Sequence, residues 1–508
     1  MGGVNQGGYG VGGVVFMVAY LLSLLLVGYW GYLKRGEKTL SDFYLGGRGV
    51  GFFVLLFTLY ATQYSGNTLF GLVGGAYREG WVWLQFVYIM MMVVVFYLLY
   101  APKLYPLARR EGFVTPSDYL EMRYESRVMS LAGSVVMLYA LGNFMLAQMT
   151  AMGRAFEGVL GDWGMMETGA NAGIGWTFLL GVVGLALVML IYETLGGFRA
   201  VAWTDMIQGL VMLCGFGGVM VLIVWKFGGM GAVTERMMSG DMMDQLKVLP
   251  PGVSGNLRWM SYVLVAGIGA SLYPQAIQRI YAAKQVAVLK KSLCVMVFLP
   301  LFTTLVMVVI GVYATDRYEG LSGASADKVF AVILGDIQGS GFVGYCLSVL
   351  LSGAVVAAIM STADSALLTM SSMITKDFLG KYDLKEATLM RIGKVTAWVL
   401  VVLLGGGALL LEATDLDLTL IDLLDLKLEG LAQLAPAFML GMHWKGLRSE
   451  GVLAGLIAGL AVMLALRVML EDGRLFDVHA GLYGLAMNVC VAVGVSWILN
   501  RSNGRLVG

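Results

Sequence analysis

About thirteen apolar runs, each long enough to cross a bilayer as a helix, follow one another along this chain with only short polar connections between them. Within hydrocarbon, a spanning segment must satisfy its own backbone polar groups, so these runs are expected as helices. The 508 residues are 58% hydrophobic and only 13% charged, more apolar surface than a water-soluble core can cover. The expected fold class is therefore an all-α polytopic membrane protein, with one transmembrane domain filling residues 1–508 and no room for a soluble domain. The runs fall at 11–33, 49–76, 80–107, 128–159, 174–194, 199–226, 257–282, 290–313, 341–375, 388–411, 417–443, 450–470 and 478–500. The opening MGGVNQGGYGVGG has neither the basic stretch nor the small-residue cleavage site of a leader, so the run to Tyr32 is expected as the first helix.

Charge placement sets an expected orientation. Roughly two-thirds of the Lys and Arg residues lie at or beside alternate connections, among them Lys34, Arg35, Lys38, Arg48, Lys103, Arg109, Arg110, Lys284, Lys290, Lys291, Lys376 and Lys381. The positive-inside rule then puts the N-terminus outside and the C-terminus in the cytoplasm of a plasma or inner membrane. A net charge of +1 gives no sign of a nucleic-acid partner, and no obligate protein partner is implied beyond the lipid bilayer. Cys214, Cys294, Cys346 and Cys490 stand singly in apolar runs, as packing residues would. His443 and His479 are far apart, which disfavours a histidine metal cluster or proton relay, and no organic cofactor is expected.

The stretch Leu351–Phe378, LSGAVVAAIMSTADSALLTMSSMITKDF, carries the chemistry. Ala358, Ser361, Thr362 and Ser365 recur at i, i+3, i+4 and i+7, so a small residue and the hydroxyls share one helical face, with Asp364 beside it. Ser and Thr in membrane helices also serve as interhelical glue. A carboxylate at depth adds the stronger reading, an ion site.

The second run is interrupted at mid-depth by Ala61, Thr62, Gln63, Tyr64, Ser65, Gly66, Asn67 and Thr68. An unwound helix there would turn carbonyl oxygens toward a hard cation without burying charge. Five runs later Pro274 interrupts GIGASLYPQAIQRIYAAK, and paired interruptions in two halves of a chain point to a binding site. Asp205 and Gln208 enter the first turns of the sixth run, and Asn143 and Gln148 stand in the fourth. The eleventh run holds Asp422, Asp425, Lys427 and Glu429; these either snorkel to an interface or serve gating pairs or substrate contacts. Arg467 is expected to snorkel.

In order and spacing, DFYLGGR (42–48), ATQYSGNTLFGLVGGAY, GGFRAVAWTDMIQGLVML (196–213), QRIYAAK (278–284), AAIMSTADSALL (357–368) and LAQLAPAFMLGMHWK resemble the solute:sodium symporter family, in its proline and pantothenate permease branch. The resemblance implies a five-plus-five inverted-repeat core of leucine-transporter type. Residues 49–226 would form the first repeat and 257–443 the second, with an extra first helix at 11–33 and two extra C-terminal helices over 450–500. It further implies a main sodium site made by the backbone carbonyls of Ala61, Tyr64 and Ala358 with the hydroxyls of Ser361 and Thr362. A second cation or proton site would fall on Asp205, Asp364 and Ser365 together with Ser361. Substrate contacts would map to Gln63, Ser65 and Thr68, and to Tyr273 and Gln275; Asn143 suits either substrate or a neighbouring helix. Proline permeases carry aspartate where this chain has Gln63, which argues against assuming proline.

The expected function is a secondary active symporter, not an enzyme, importing a small polar organic solute, carboxylate or amino-acid-like, with sodium as coupling ion. The sequence holds no GxxxxGK[ST] loop for ATP. A proton-coupled carrier is the nearest alternative, since Asp205 and Asp364 could titrate in place of an ion. A sensor would normally carry a signalling domain, whereas only RSNGRLVG follows Asn500. A membrane enzyme would have to work with an aspartate pair.

Overall fold

A computed structural model describes residues 10–34, 39–160, 175–227, 229–240, 242–315, 317–318, 326, 329–339, 341–380, 382, 384–414, 420–470 and 473–502. The chain begins with α1 (Gly10–Leu33) and the short α2 (Leu40–Leu45). The second run becomes α3 (Phe52–Gln63) and α4 (Gly66–Glu79), followed by α5 (Gln85–Glu111) and α6 (Pro116–Tyr124). Next come α7 (Arg127–Leu160), α8 (Trp176–Gly196), α9 (Phe198–Phe227), α10 (Gly229–Ser239) and α11 (Met242–Val248). The seventh run is α12 (Val253–Ser271) and α13 (Pro274–Ala282), then α14 (Val286–Met296), α15 (Thr304–Thr315) and α16 (Val329–Gln338). The long α17 (Phe342–Met373) and α18 (Glu386–Ala413) precede α19 (Leu420–Ala432) and α20 (Gly441–His443). The chain closes with α21 (Ser449–Met469) and α22 (Ala480–Ser502), which are joined by a small hairpin, Arg474–Leu475 against Val478–His479.

Among the described residues, ten helices are long and apolar enough to cross a membrane, and the pair α12 and α13, bent by 51°, makes eleven. Two of the thirteen drawn runs fall short of that length. The second is cut to the 12-residue α3, because α4 continues toward α5, and the eleventh yields only the 13-residue α19.

The two breaks have local causes. Tyr64, with φ −104° and ψ 114°, leaves the helical region and ends α3. At the other break Pro274 has no amide hydrogen to donate, and its ring pushes Tyr273 to φ −54°, ψ 122°, so α13 starts afresh with proline at its first position. Close helix approach needs glycine at both places. A Cβ on Gly66 would stand 2.7 Å from Ala151 Cβ and 2.9 Å from Ile359 Cγ1, and one on Gly269 would stand 2.1 Å from the Leu428 carbonyl oxygen.

Helix α17 is the axis of the bundle, buried from Leu351 through Met373 and packed against α3, α7 and α9. One end of the molecule is knit by arginines to backbone carbonyls: Arg48 donates to Ala108 O (2.7 Å) and Phe113 O (2.8 Å), and Arg123 to Gly441 O (2.8 Å). At the same end Thr115 and Ser134 donate to Asp377 at 2.7 and 2.8 Å, tying α6 and α7 to the turn that follows α17. Two expectations change. The four cysteines lie exposed on the outer face of the bundle instead of packing within it. Arg467 does not snorkel freely; it donates to Glu429 Oε2 at 2.9 Å, because a nearly buried carboxylate on α19 faces it.

Candidate functional site

The break after α3 faces the hydroxyl stripe of α17. Thr362 Oγ1 lies 3.0 Å from Tyr64 O and 3.5 Å from Ala61 O; Ser361 Oγ lies 3.3 Å from Ala61 O and 3.2 Å from Ala358 O. Carbonyls released by the end of one helix and hydroxyls on one face of another thus converge on a single point, with all these residues buried. The set is entirely oxygen and carries no formal charge, a donor set that suits a hard monovalent cation better than a soft metal. Helix α4 is held in place beside it, since Gly66 N donates to Gln148 Oε1 at 3.0 Å.

One turn deeper along α17, the residues expected at a second site are joined by a side chain that the sequence reading left without a role. Arg279, on α13, is 1% exposed and donates from Nη2 to Asp205 Oδ2 (2.9 Å) and to the Ser365 hydroxyl, from Nε to Thr58 Oγ1 (2.8 Å) and from Nη1 to Gln275 O (3.0 Å). The Thr58 hydroxyl in turn donates to Asp205. Asp364 stands on the far side of Ser365, 3.2 Å from its hydroxyl, and accepts from Tyr192 OH at 2.5 Å. Asp205, Ser365 and Asp364 are therefore brought together, but around a guanidinium. An arginine within an otherwise apolar span was the available signal for it, along with Thr58 one turn before Thr62.

The residues expected at substrate line the two breaks. Gln63 donates to Tyr97 OH at 2.7 Å, and Tyr97 reaches Ala270 O at 3.3 Å, linking the end of α3 to the end of α12. Ser65 is buried at the first break. Tyr273 stacks on Phe144, the neighbour of Asn143, with centroids 5.3 Å apart and planes 13° off parallel. Gln275 is fully buried, and neither end of its amide has a hydrogen-bond partner among the described residues. The side chains of Thr68 and Asp422 lie outside the described ones.

Two broken helices, with a buried oxygen cluster where one break meets a continuous helix, form the architecture expected of a secondary transporter. The profile of the sodium:solute symporter family matches residues 43–459, and the chain belongs to that family, whose members are membrane transporters and not enzymes. It is a multi-pass membrane protein. It is 26% identical over 504 residues to the osmoregulated proline transporter OpuE of Bacillus subtilis, covering 96% of this chain and 95% of that one. It is 23% identical over 507 residues to a sodium/proline symporter of Staphylococcus aureus, covering 96% and 92%. Among solved structures, a substrate-bound, outward-open Na+-coupled sialic acid symporter superposes with a TM-score of 0.76 at 21% identity, over 96% of this chain and 98% of that one. A nucleobase-cation-symport-1 family transporter in a closed conformation superposes with a TM-score of 0.53 at 15% identity, over 90% and 95%.

Proposed function

We propose that this chain couples inward sodium flow to uptake of a small polar organic solute, carboxylate or amino-acid-like, by alternating access. The observation that carries the reading is the approach of Thr362 and Ser361 on α17 to the Ala61 and Tyr64 carbonyls at the end of α3, at 3.0–3.5 Å. Sodium is bound by those carbonyls, the Ala358 carbonyl and the two hydroxyls. Because the donors come from two helices, the ion holds α3 and α17 in the one arrangement that assembles them. Solute at Gln63, Ser65, Thr68, Asn143, Tyr273 and Gln275 then draws the two breaks together and closes the outer path. Movement of one half against the other separates the carbonyls from the hydroxyls, and sodium leaves into the cytoplasm, followed by the solute. The membrane potential supplies about 2.3 kcal/mol per charge per 100 mV for this cycle.

The moving halves are residues 49–226 and 257–443, as inverted repeats, with 11–33 and 450–500 added outside them. The positive residues put the N-terminus outside and the C-terminus in the cytoplasm of the plasma or inner membrane. Proline is the first solute to try, because two relatives bear that name; Gln63 and the aromatic pair Phe144 and Tyr273 are the reasons to try others beside it.

Asp205, Asp364 and Ser365 form the second site. Arg279 serves as its internal cation in the present arrangement, and an ion or proton takes its place when α13 moves away from α17. Proton coupling is the second reading, favoured by Asp364, a fully buried carboxyl beside the Tyr192 and Ser365 hydroxyls.

The test is uptake of radiolabelled L-proline, lactate and galactose into proteoliposomes under an inward sodium gradient or an inward proton gradient. Accumulation of one solute with sodium alone supports the reading. Accumulation that follows protons and ignores sodium transfers the coupling to Asp364.

A further inference from the structure

Among the described residues, two cationic side chains are fully enclosed, Arg279 and Lys427. Arg279 donates four hydrogen bonds, one of them to a carboxylate. Lys427, on α19, is 0% exposed, and its ammonium has no hydrogen-bond partner among the described residues. Asp425, two residues earlier on α19, accepts from Tyr262 at 2.5 Å. The Lys427 Nζ instead rests 3.3 Å from the centre of the Phe144 ring and 5.7 Å from that of Tyr273. An aromatic face attracts an ammonium, but more weakly than the water it has lost. Asp425 acts on this amine from a distance, but among the described residues no carboxylate hydrogen-bonds it, and an enclosed amine so placed can accept an anion.

Its position says where that anion comes from. Tyr273 is the residue at which α12 breaks and α13 begins, and Gln275 follows with both amide atoms unpaired. Phe144, on α7, stacks on Tyr273. Three elements, α7, the α12–α13 break and α19, thus meet around one buried amine that has no hydrogen-bond partner among the described residues.

We propose that Lys427 is the receptor for the carboxylate of the transported solute, with Phe144 and Tyr273 as the walls against its apolar part. This rests on the symporter reading and deepens it: the substrate class is a small organic anion or zwitterion bearing a free carboxylate. On binding, the ammonium leaves the ring face and meets the carboxylate, while the Gln275 amide serves a polar group of the solute. The matching amide of the solute brings no negative charge to the site and binds poorly. Lysine acts here as a compact point charge in a tight aromatic slot, so arginine, with its broad planar head, is an imperfect replacement.

Thermal unfolding of the purified full-length chain, with and without sodium, tests this using L-proline and lactate beside L-prolinamide and lactamide. Wild type is expected to be stabilised by sodium, and further by an acid, with the matching amide at least about thirtyfold weaker in half-saturating concentration. Lys427→Met and Lys427→Gln keep the sodium shift, which certifies their fold, and lose the acid shift; Lys427→Arg retains a weakened one. Equal stabilisation by acid and amide, or an acid shift in Lys427→Met equal to that of wild type, overturns the assignment. So does stabilisation by neutral galactose in place of both acids. Absence of any sodium shift in wild type counts instead against the symporter reading, which separates the two failures.

Discussion

Arg279 and Asp205 meet 2.9 Å apart in a place that no solvent reaches, with 1% and 0% of their side chains exposed. The guanidinium also holds Thr58 and Ser365, so one side chain of α13 ties α3, α9 and α17 together below the expected sodium site. Breaking such a pair from one side leaves a charge stranded in a medium that cannot solvate it. Asp205→Asn is expected to destabilise the protein by about 3–5 kcal/mol, read as a fall in unfolding midpoint in detergent. Asp205→Asn combined with Arg279→Gln should recover much of that loss, because neither member of the pair is left charged without the other. A double variant as unstable as the sum of the single ones would mean that the pair is not coupled.

The oxygen cluster at the first break predicts a different signature. Ser361→Ala and Thr362→Ala remove side-chain oxygens but leave the carbonyls of Ala61, Tyr64 and Ala358 in place. Each is expected to raise the sodium concentration for half-maximal uptake about tenfold or more, equivalent to about 1.4 kcal/mol. The solute dependence measured at saturating sodium should change little.

Gly66 tests the geometry of the break. A methyl group there meets Ala151 and Ile359 at 2.7 and 2.9 Å, so Gly66→Ala must push α4 away from α7 or α17. The expected cost is about 1–3 kcal/mol of stability, together with loss of sodium-driven uptake. Gly142→Ala is the control, since nothing lies within 4 Å of the added methyl, and it should transport as wild type does.

Tyr192→Phe removes the 2.5 Å hydrogen bond to Asp364. The expected outcome is a loss of about 1–3 kcal/mol in stability with the sodium requirement intact. A switch from sodium-driven to proton-driven uptake would instead mark Asp364 as the coupling group.

Much of the architecture was legible because bilayer physics leaves few choices. The apolar runs became helices, and the polar interruption at Ala61–Ser65 and the proline at Pro274 became the breaks. Helical spacing put Ser361 and Thr362 on one face, and the structure brings that face to the Ala61 and Tyr64 carbonyls. The missing parts depend on which helices touch. Arg279 sits in QRIYAAK, yet no local pattern says that it reaches across to Asp205, a residue 74 positions away in sequence. The partners of Lys427, Tyr192 and Arg467 are likewise set by packing between distant segments, which periodicity along one helix does not encode. The two drawn runs that shortened, 49–76 and 417–443, did so because hydropathy registers apolar length and not helix continuity.

Sodium binding at the junction of α3 and α17 is tested most directly by equilibrium binding of radioactive sodium to the purified protein, beside Ser361→Ala and Thr362→Ala. The account predicts saturable binding by wild type, strengthened by the transported solute, and weakened about tenfold or more in both variants while their unfolding midpoints without sodium stay near that of wild type. Sodium binding of undiminished affinity in both variants would contradict it and move the ion elsewhere in the bundle.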